Sequence, residues 1–135
     1  MSSTADTLAQ RAADVLIRFP ETQAVWLFGS AASGRMRPGS DIDVAVVPRS
    51  GRKNFPLLDA HTGLVAAGLD RVDLAVLDDR DLVLRFEAVR HAHLLNCASD
   101  FDATSYFSRT IREYFDHEPI FRIQRAALKK RHAAA

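Results

Sequence analysis

Three aspartates in two apolar segments have the types and spacing of ligands for a divalent cation. Asp41 and Asp43 open one β-branched segment, and Asp73 lies inside another. Side chains alternate between the two faces of a strand, so Asp41 and Asp43 share a face while Ile42 points to the other. Clustered carboxylates repel each other unless a cation compensates their charge. If the two strands are neighbours, the sequence predicts a site for Mg²⁺ or Mn²⁺ made by all three carboxylates.

A Gly-Ser pair ahead of these aspartates is typical of a phosphate-binding turn. Gly29 and Ser30 follow the apolar strand predicted over 24–28, and ten residues separate Ser30 from Asp41. Glycine lets the backbone approach a ligand closely, and free N–H groups at the start of a helix favour anions. The Ser30 hydroxyl could donate a further hydrogen bond to a phosphate. Arg35 and Arg37 could also reach phosphates, although solvation is the simpler interpretation for both.

Each of these features has an ordinary explanation when it is taken alone. A Gly-Ser pair after a strand is usually a turn, and Asp-x-Asp at a strand start often caps a turn or faces solvent. Asp73 could be an edge residue that faces water. The occurrence of all three features in this order favours a site where metal and phosphate meet, and Asp73 could also draw a proton from an acceptor hydroxyl.

Three other candidates for chemistry are weaker. Cys97 has no nearby His/Asn arrangement in sequence that would activate it as a nucleophile, and a free cysteine usually packs as a small hydrophobic residue. His91 and His93 have the same-face spacing of a strand but lack a third ligand of matching type, which favours a loop or an edge strand over a zinc site. We expect Trp26 to lie in the core beneath the strand that leads to Gly29.

The pattern of apolar residues and breakers predicts a mixed α/β (α+β) fold, with helices over a small sheet. The first two strands are too close in sequence for a helical crossover, so we expect a mixed rather than an all-parallel sheet. The predicted helices span 4–19, 55–67, 78–90 and 104–116, with a short helix or turn over 30–36 and another helix from Pro119. The predicted strands span 24–28, 42–47, 72–77 and 93–96.

Length and composition indicate one domain over 1–135. It has 135 residues of which 47% are hydrophobic, and 18 basic residues balance 17 acidic ones. This balance provides no global field for nucleic acid, so we expect no direct nucleic-acid substrate. No apolar run could span a membrane, and the one cysteine is consistent with a cytoplasmic protein. We expect a helical segment from about 104 and a disordered tail over 131–135. The basic residues from Arg109 onward could meet an acidic partner or RNA, although a solvated helix face is the simpler interpretation.

The residues from Leu27 to Val47 carry a family resemblance. Their sequence, LFGSAASGRMRPGSDIDVAVV, resembles the active-site segment of the DNA polymerase β-type nucleotidyltransferase superfamily. The short length and ten-residue spacer are similar to the minimal nucleotidyltransferase (MNT) antitoxins, which are partners of HEPN-domain toxins. VDLAVLDD is similar to the third-aspartate strand, and LRFEAVRHAHLLN and REYFDHEPI to later segments of that group.

This resemblance implies a role for each candidate residue. Gly29 and Ser30 would bind the nucleotide, and Asp41, Asp43 and Asp73 would be the metal-binding and catalytic carboxylates. It further implies Mg²⁺ (or Mn²⁺) as cofactor, ATP as substrate and transfer of AMP to a tyrosine of a HEPN toxin.

Two alternative functions remain open at the level of sequence. One is nucleotidyl transfer to a small molecule such as an aminoglycoside, which would usually need an additional helical domain to hold the acceptor. The other is an antitoxin that acts by binding alone, which the intact set of carboxylates argues against. We expect no templated polymerase, because that activity uses domains beyond this one.

Overall fold

The computed structural model describes residues 4–29, 41–91 and 93–117, which form four helices and a four-stranded sheet. In chain order the elements are α1 (Thr4–Leu16), β1 (Thr22–Phe28), β2 (Ile42–Pro48), a 3₁₀ turn (Arg52–Asn54), α2 (Leu57–Ala66), β3 (Val72–Val76), α3 (Leu82–Val89), β4 (Leu94–Cys97) and α4 (103–117).

The sheet is mixed, as the sequence predicted. Its strand order is β3-β2-β1-β4, so β2 lies in the interior and β3 forms an edge. Strand β1 pairs antiparallel with both β2 and β4, while β2 and β3 are parallel. The parallel pair is connected through α2, whereas the segment between β1 and β2 is too short for a helical crossover. The strand that carries Asp43 therefore has hydrogen-bonded neighbours on both sides.

Helices cover both faces of the sheet. Alternate residues of β1 and β2 point to opposite sides, so each face has its own apolar cluster. Helices α1 and α2 pack on one face, and α3 and α4 pack on the other. The first cluster includes Leu16, Val25, Leu27, Ile42, Val44, Val46 and Leu64, and the second includes Trp26, Ala45, Val47, Leu77, Ala88, Val89 and Tyr106.

A buried arginine connects α3 to α4. The Arg85 side chain is 1% exposed. One of its terminal nitrogens donates to the Asp79 carbonyl at 2.9 Å and lies 3.3 Å from a carboxylate oxygen of Glu113. The other donates to the Thr110 hydroxyl at 2.9 Å. The guanidinium also lies 5.5 Å from the centre of the Tyr106 ring. These contacts provide partners for both terminal nitrogens of the guanidinium, whose charge would be costly to bury without them.

The third helix begins later than predicted, so the predicted start was wrong. It was predicted from residue 78, but α3 begins at Leu82, because the Asp81 side chain caps it by accepting from the Leu84 N–H at 3.1 Å. Asp78 instead accepts from the Arg80 N–H and shapes the preceding turn. The first predicted helix also ends earlier, at Leu16, and the second begins later, at Leu57.

The last described helix, α4, agrees with the predicted 104–116 within one residue at each end. Tyr106, Thr110 and Tyr114 are its buried side chains, and Phe115 is 59% exposed. The segments predicted over 30–36, from Pro119 and over 131–135 lie outside the described residues. Among the described residues 4–29, 41–91 and 93–117, no helix is long and apolar enough to cross a membrane.

Candidate active site

The pairing of β2 with β3 brings two of the three aspartates together. Asp43 and Asp73 are partners in the parallel register, so their side chains lie on the same face of the sheet. Asp43 is half-buried because β2 is an interior strand, and Asp73 is exposed on the edge strand. Asp41 is exposed one residue before β2 begins. Asp73 is therefore an edge residue that faces water, which was the alternative to a metal site at the level of sequence. It nevertheless lies beside Asp43.

The pKa of Asp43 reflects both its burial and the neighbouring carboxylates. It is raised above its ordinary value, first by burial, then by the negative charge of Asp73 and a hydrogen bond with its carboxyl, and last by the charge of Asp41. Repulsion between neighbouring carboxylates raises a pKa in this direction, although burial is the larger cause for Asp43. A cation beside Asp43 would relieve both effects, because it would stabilise the ionised form.

Gly29 makes room for the Asp43 carboxylate. Phe28, at the end of β1, pairs with Asp43, so the next residue along the chain lies beside this carboxylate. Gly29 has a φ of +72°, and an added Cβ would lie 2.6 Å from Oδ2 of Asp43. The sequence predicted that Gly29 permits close approach to a phosphate. The nearest described side chain that an added Cβ at Gly29 would meet is the Asp43 carboxylate. This contact can be predicted only when the β1–β2 register is known.

Replacement of Gly29 by alanine is expected to lower the free energy of unfolding more than the same change at a glycine with a similar φ. Gly68→Ala is the matched control, because Gly68 has a φ of +77° but an added Cβ there would meet nothing within 4 Å. Both variants should lose about 1 kcal/mol from the backbone conformation. Gly29→Ala should lose roughly 1–3 kcal/mol more, since it must displace Asp43. Urea denaturation would measure both, and equal losses would contradict the crowding of Asp43.

The donor chemistry of the three aspartates suits a hard divalent cation. All three supply carboxylate oxygens, which Mg²⁺ and Mn²⁺ prefer, and they share one end of the sheet. Within the ranges that the structure describes, no three His, Cys, Asp or Glu side chains already have the arrangement of a metal site. Ser30, Arg35 and Arg37 lie outside the described residues.

The weaker candidates contribute no site of their own. His91 is exposed, and His93 is half-buried with its carbonyl accepting from the Leu27 N–H. Cys97 is a half-buried free thiol on the edge strand β4. Trp26 is 2% exposed and lies in the core, as predicted.

Three solved structures contain chains with the same fold. A chain of a toxin–antitoxin complex with AMP-PNP is 26% identical, with a TM-score of 0.66 over 93% of this chain and 98% of that chain. A chain of the tri-AMPylated Shewanella oneidensis HEPN toxin in complex with MNT antitoxin is 24% identical, with a TM-score of 0.63 over 96% and 99%. A chain of the toxin–antitoxin MntA-HepT is 24% identical, with a TM-score of 0.61 over 96% and 99%. No curated protein sequence matches this chain significantly.

The sequence family described as polymerase beta, nucleotidyltransferase, matches residues 10–101. This match contains the whole sheet and the three aspartates at one end of it. The resemblance inferred from the Gly-Ser and Asp-x-Asp segment is therefore confirmed, and the chain belongs to the polymerase β nucleotidyltransferase family.

Proposed function

We propose that this chain is an antitoxin that transfers AMP from ATP to a tyrosine hydroxyl of a HEPN-domain toxin, with Mg²⁺ or Mn²⁺ as cofactor. The observation that carries the proposal is the pairing of Asp43 with Asp73, with Asp41 near enough to influence the pKa of Asp43. Family membership supports nucleotidyl transfer as the reaction. Likeness to a toxin–antitoxin chain solved with AMP-PNP supports an adenine nucleotide as the donor.

The proposed reaction is an in-line displacement at the α-phosphorus of ATP. The tyrosine oxygen forms a bond to this phosphorus, the bond to the bridging oxygen of the β-phosphate breaks, and pyrophosphate leaves. Asp41, Asp43 and Asp73 would hold the cation, which neutralises charge on the phosphate oxygens. Gly29 and Ser30 would bind the terminal phosphates, consistent with a glycine at the end of a strand.

Asp73 is the best placed carboxylate to accept the proton of the acceptor hydroxyl. It is exposed on the edge strand β3, so a side chain of another protein can approach it. Asp43 is half-buried between the neighbouring strands and beside Gly29, which restricts approach from solvent. We therefore assign Asp73 the general-base role and Asp43 the role of a metal ligand.

Modification by AMP would inactivate such a toxin by charge and bulk. An AMP group adds a negative phosphate and a nucleoside at the modified side chain, which would repel and occlude RNA. The solved complex of a tri-AMPylated HEPN toxin with an MNT antitoxin supports both the acceptor class and the group transferred. If the partner acts on cellular RNA, the pair would be located in the cytoplasm. In this proposal, residues 1–135 act as a single domain.

Mass spectrometry of the partner tests this function directly. A HEPN-domain partner, sought in the neighbouring reading frame, would be incubated with the chain, ATP and Mg²⁺, and digested. We expect tyrosine peptides heavier by one AMP, and no such peptides with the Asp41→Asn/Asp43→Asn double variant. Full neutralisation of the toxin by the double variant, without an adduct in the wild-type reaction, would establish binding alone. Transfer of labelled AMP to an aminoglycoside but not to protein would establish the small-molecule alternative.

Addition of metal is expected to stabilise the isolated protein. A cation that binds only the folded state raises the free energy of unfolding by mass action, by about 2.7 kcal/mol at a hundredfold excess over its Kd, and so raises the melting temperature. We expect millimolar Mg²⁺ or Mn²⁺, with a non-hydrolysable ATP analogue, to raise the Tm by several degrees in differential scanning fluorimetry. Ca²⁺-free buffer with EDTA is the reference, and an unchanged Tm under all metal conditions would argue against the carboxylate site.

A further inference from the structure

A cationic cavity lies at the opposite end of the sheet from the aspartates. Its volume is about 620 Å³, and it is bounded by the end of β2, by residues 49–54, by residues 77–80 after β3 and by α4. Asp43 lies near the start of β2, and Pro48 ends it. A strand of this length spans roughly 20 Å at about 3.3 Å per residue. The cavity is therefore separate from the candidate active site.

Positive charge predominates in the lining of this cavity. Among the described residues that line it, five carry cationic side chains and two, Asp78 and Asp79, carry acidic ones. Asp79 already lies 3.5 Å from Arg109, and Asp78 accepts the backbone N–H of Arg80. The cationic residues are Arg49, Arg52, Lys53, Arg80 and Arg109. Among residues 4–29, 41–91 and 93–117, none forms an ion pair with Arg52, Lys53 or Arg80.

Two of the cations are held in position by the surrounding fold. Arg49 forms an ion pair with Asp100 and donates through Nε to the Pro20 carbonyl at 3.2 Å. Arg109 packs with its guanidinium 5.6 Å from the centre of the Tyr106 ring. Because these contacts fix the side chains before a ligand arrives, less conformational entropy is lost on binding.

The loop between these cations is also well defined. Gly51 has a φ of +86° and precedes the 3₁₀ turn that carries Arg52 and Lys53. The Asn54 side chain donates to the Ser50 carbonyl at 2.7 Å, which closes the loop on itself. The two free cations of this turn are therefore presented from a short, internally hydrogen-bonded segment rather than from an extended arm.

We propose that this cavity is a binding site for a small ligand with two or more phosphate groups, such as a nucleoside polyphosphate. Cations that converge on a concave volume can neutralise adjacent phosphates, and arginine can bind them by paired hydrogen bonds. A single-stranded RNA site would instead present aromatic rings for stacking on bases. Among the described residues that line the cavity, the one aromatic ring is that of Tyr106, which is only 7% exposed.

Calorimetric titration of the full 135-residue chain with inorganic tripolyphosphate in EDTA tests this proposal. Without divalent metal, the clustered carboxylates of the active site repel a polyanion, whereas the cationic cavity attracts it. We expect binding with a stoichiometry of one that weakens as salt rises. The variant Arg52→Ser/Lys53→Ser/Arg80→Ser changes three exposed side chains and should raise the Kd at least about tenfold.

The matched control removes the same charge elsewhere. Arg18→Ser/Arg90→Ser/Arg112→Ser changes three exposed cations outside the cavity, so its net charge equals that of the test variant. Its Kd should stay within about twofold of the wild type, because distant surface charges are screened. Equal weakening in both variants, or no binding by the wild type, would overturn the proposal. Tight binding of a short single-stranded RNA that tripolyphosphate does not displace would replace it with an RNA site.

Discussion

Asp43→Asn is expected to abolish AMP transfer while leaving the fold intact. The amide keeps the shape of the side chain but removes a charge that would hold the cation. Stabilisation of phosphoryl charge by metal contributes several kcal/mol, and each 1.36 kcal/mol is a factor of ten in rate, so the loss should be roughly 10³-fold or more. A single-turnover assay with labelled ATP would measure it. A transfer rate near that of the wild type would show that Asp43 is not a ligand of the catalytic metal ion.

The same substitution should stabilise the protein when metal is absent. Folding raises the pKa of Asp43, so the folded state binds the proton more tightly than the unfolded state. Stability conferred by the protonated carboxyl is present below the unfolded pKa of 3.8 and is lost as pH rises through the higher folded value. At neutral pH in EDTA, Asp43→Asn should therefore have a higher Tm than the wild type, and the difference should shrink in acid.

Asp59→Asn provides the control for this effect, because Asp59 is an exposed carboxylate on the first turn of α2. The Tm of Asp59→Asn should differ little from that of the wild type, both in EDTA and with metal. The rise in Tm on addition of Mg²⁺ and nucleotide should persist in Asp59→Asn and disappear in Asp43→Asn. A wild-type protein that is more stable than Asp43→Asn at neutral pH in EDTA would contradict the unfavourable ionisation of this carboxyl.

Arg85→Ala is expected to have the largest effect on stability. The change leaves a cavity in the core and leaves Thr110 and the Asp79 carbonyl without the hydrogen bonds donated by Arg85. Loss of one partner in such a buried charged network costs about 3–5 kcal/mol. Urea denaturation should show this loss, and the Tm should fall by roughly 10 °C or more.

Two comparisons separate the polar contacts of Arg85 from its volume. Arg85→Met fills much of the space without the hydrogen bonds, so it should recover part of the lost stability. Arg112→Ala changes an exposed arginine of α4 and should stay within about 0.5 kcal/mol of the wild type. Amide exchange should accelerate most in α4, since Arg85 joins it to α3. A loss below about 1 kcal/mol in Arg85→Ala would show that these contacts contribute little.

The sequence by itself determined most of the fold and the identity of the candidate site residues. Runs of β-branched and apolar residues, bounded by glycine, proline and polar residues, predicted all four strands of the sheet. Such a pattern can be recognised from a few consecutive residues. The short segment between the first two strands predicted a mixed sheet. Asp41, Asp43 and Asp73 were selected because ionisable side chains in apolar strands are costly without a compensating partner.

Only the tertiary structure decided which residues meet across the chain. The β2–β3 register sets Asp43 opposite Asp73, and a slip of one residue would have placed the two on opposite faces. The β1–β2 register made Gly29 a neighbour of the Asp43 carboxylate. Burial of Arg85 could not be predicted either, because its partners lie up to 28 residues away on another helix. The cationic cavity likewise combines the loop between β2 and α2 and the loop between β3 and α3 with α4, and such proximity arises from packing rather than from local sequence.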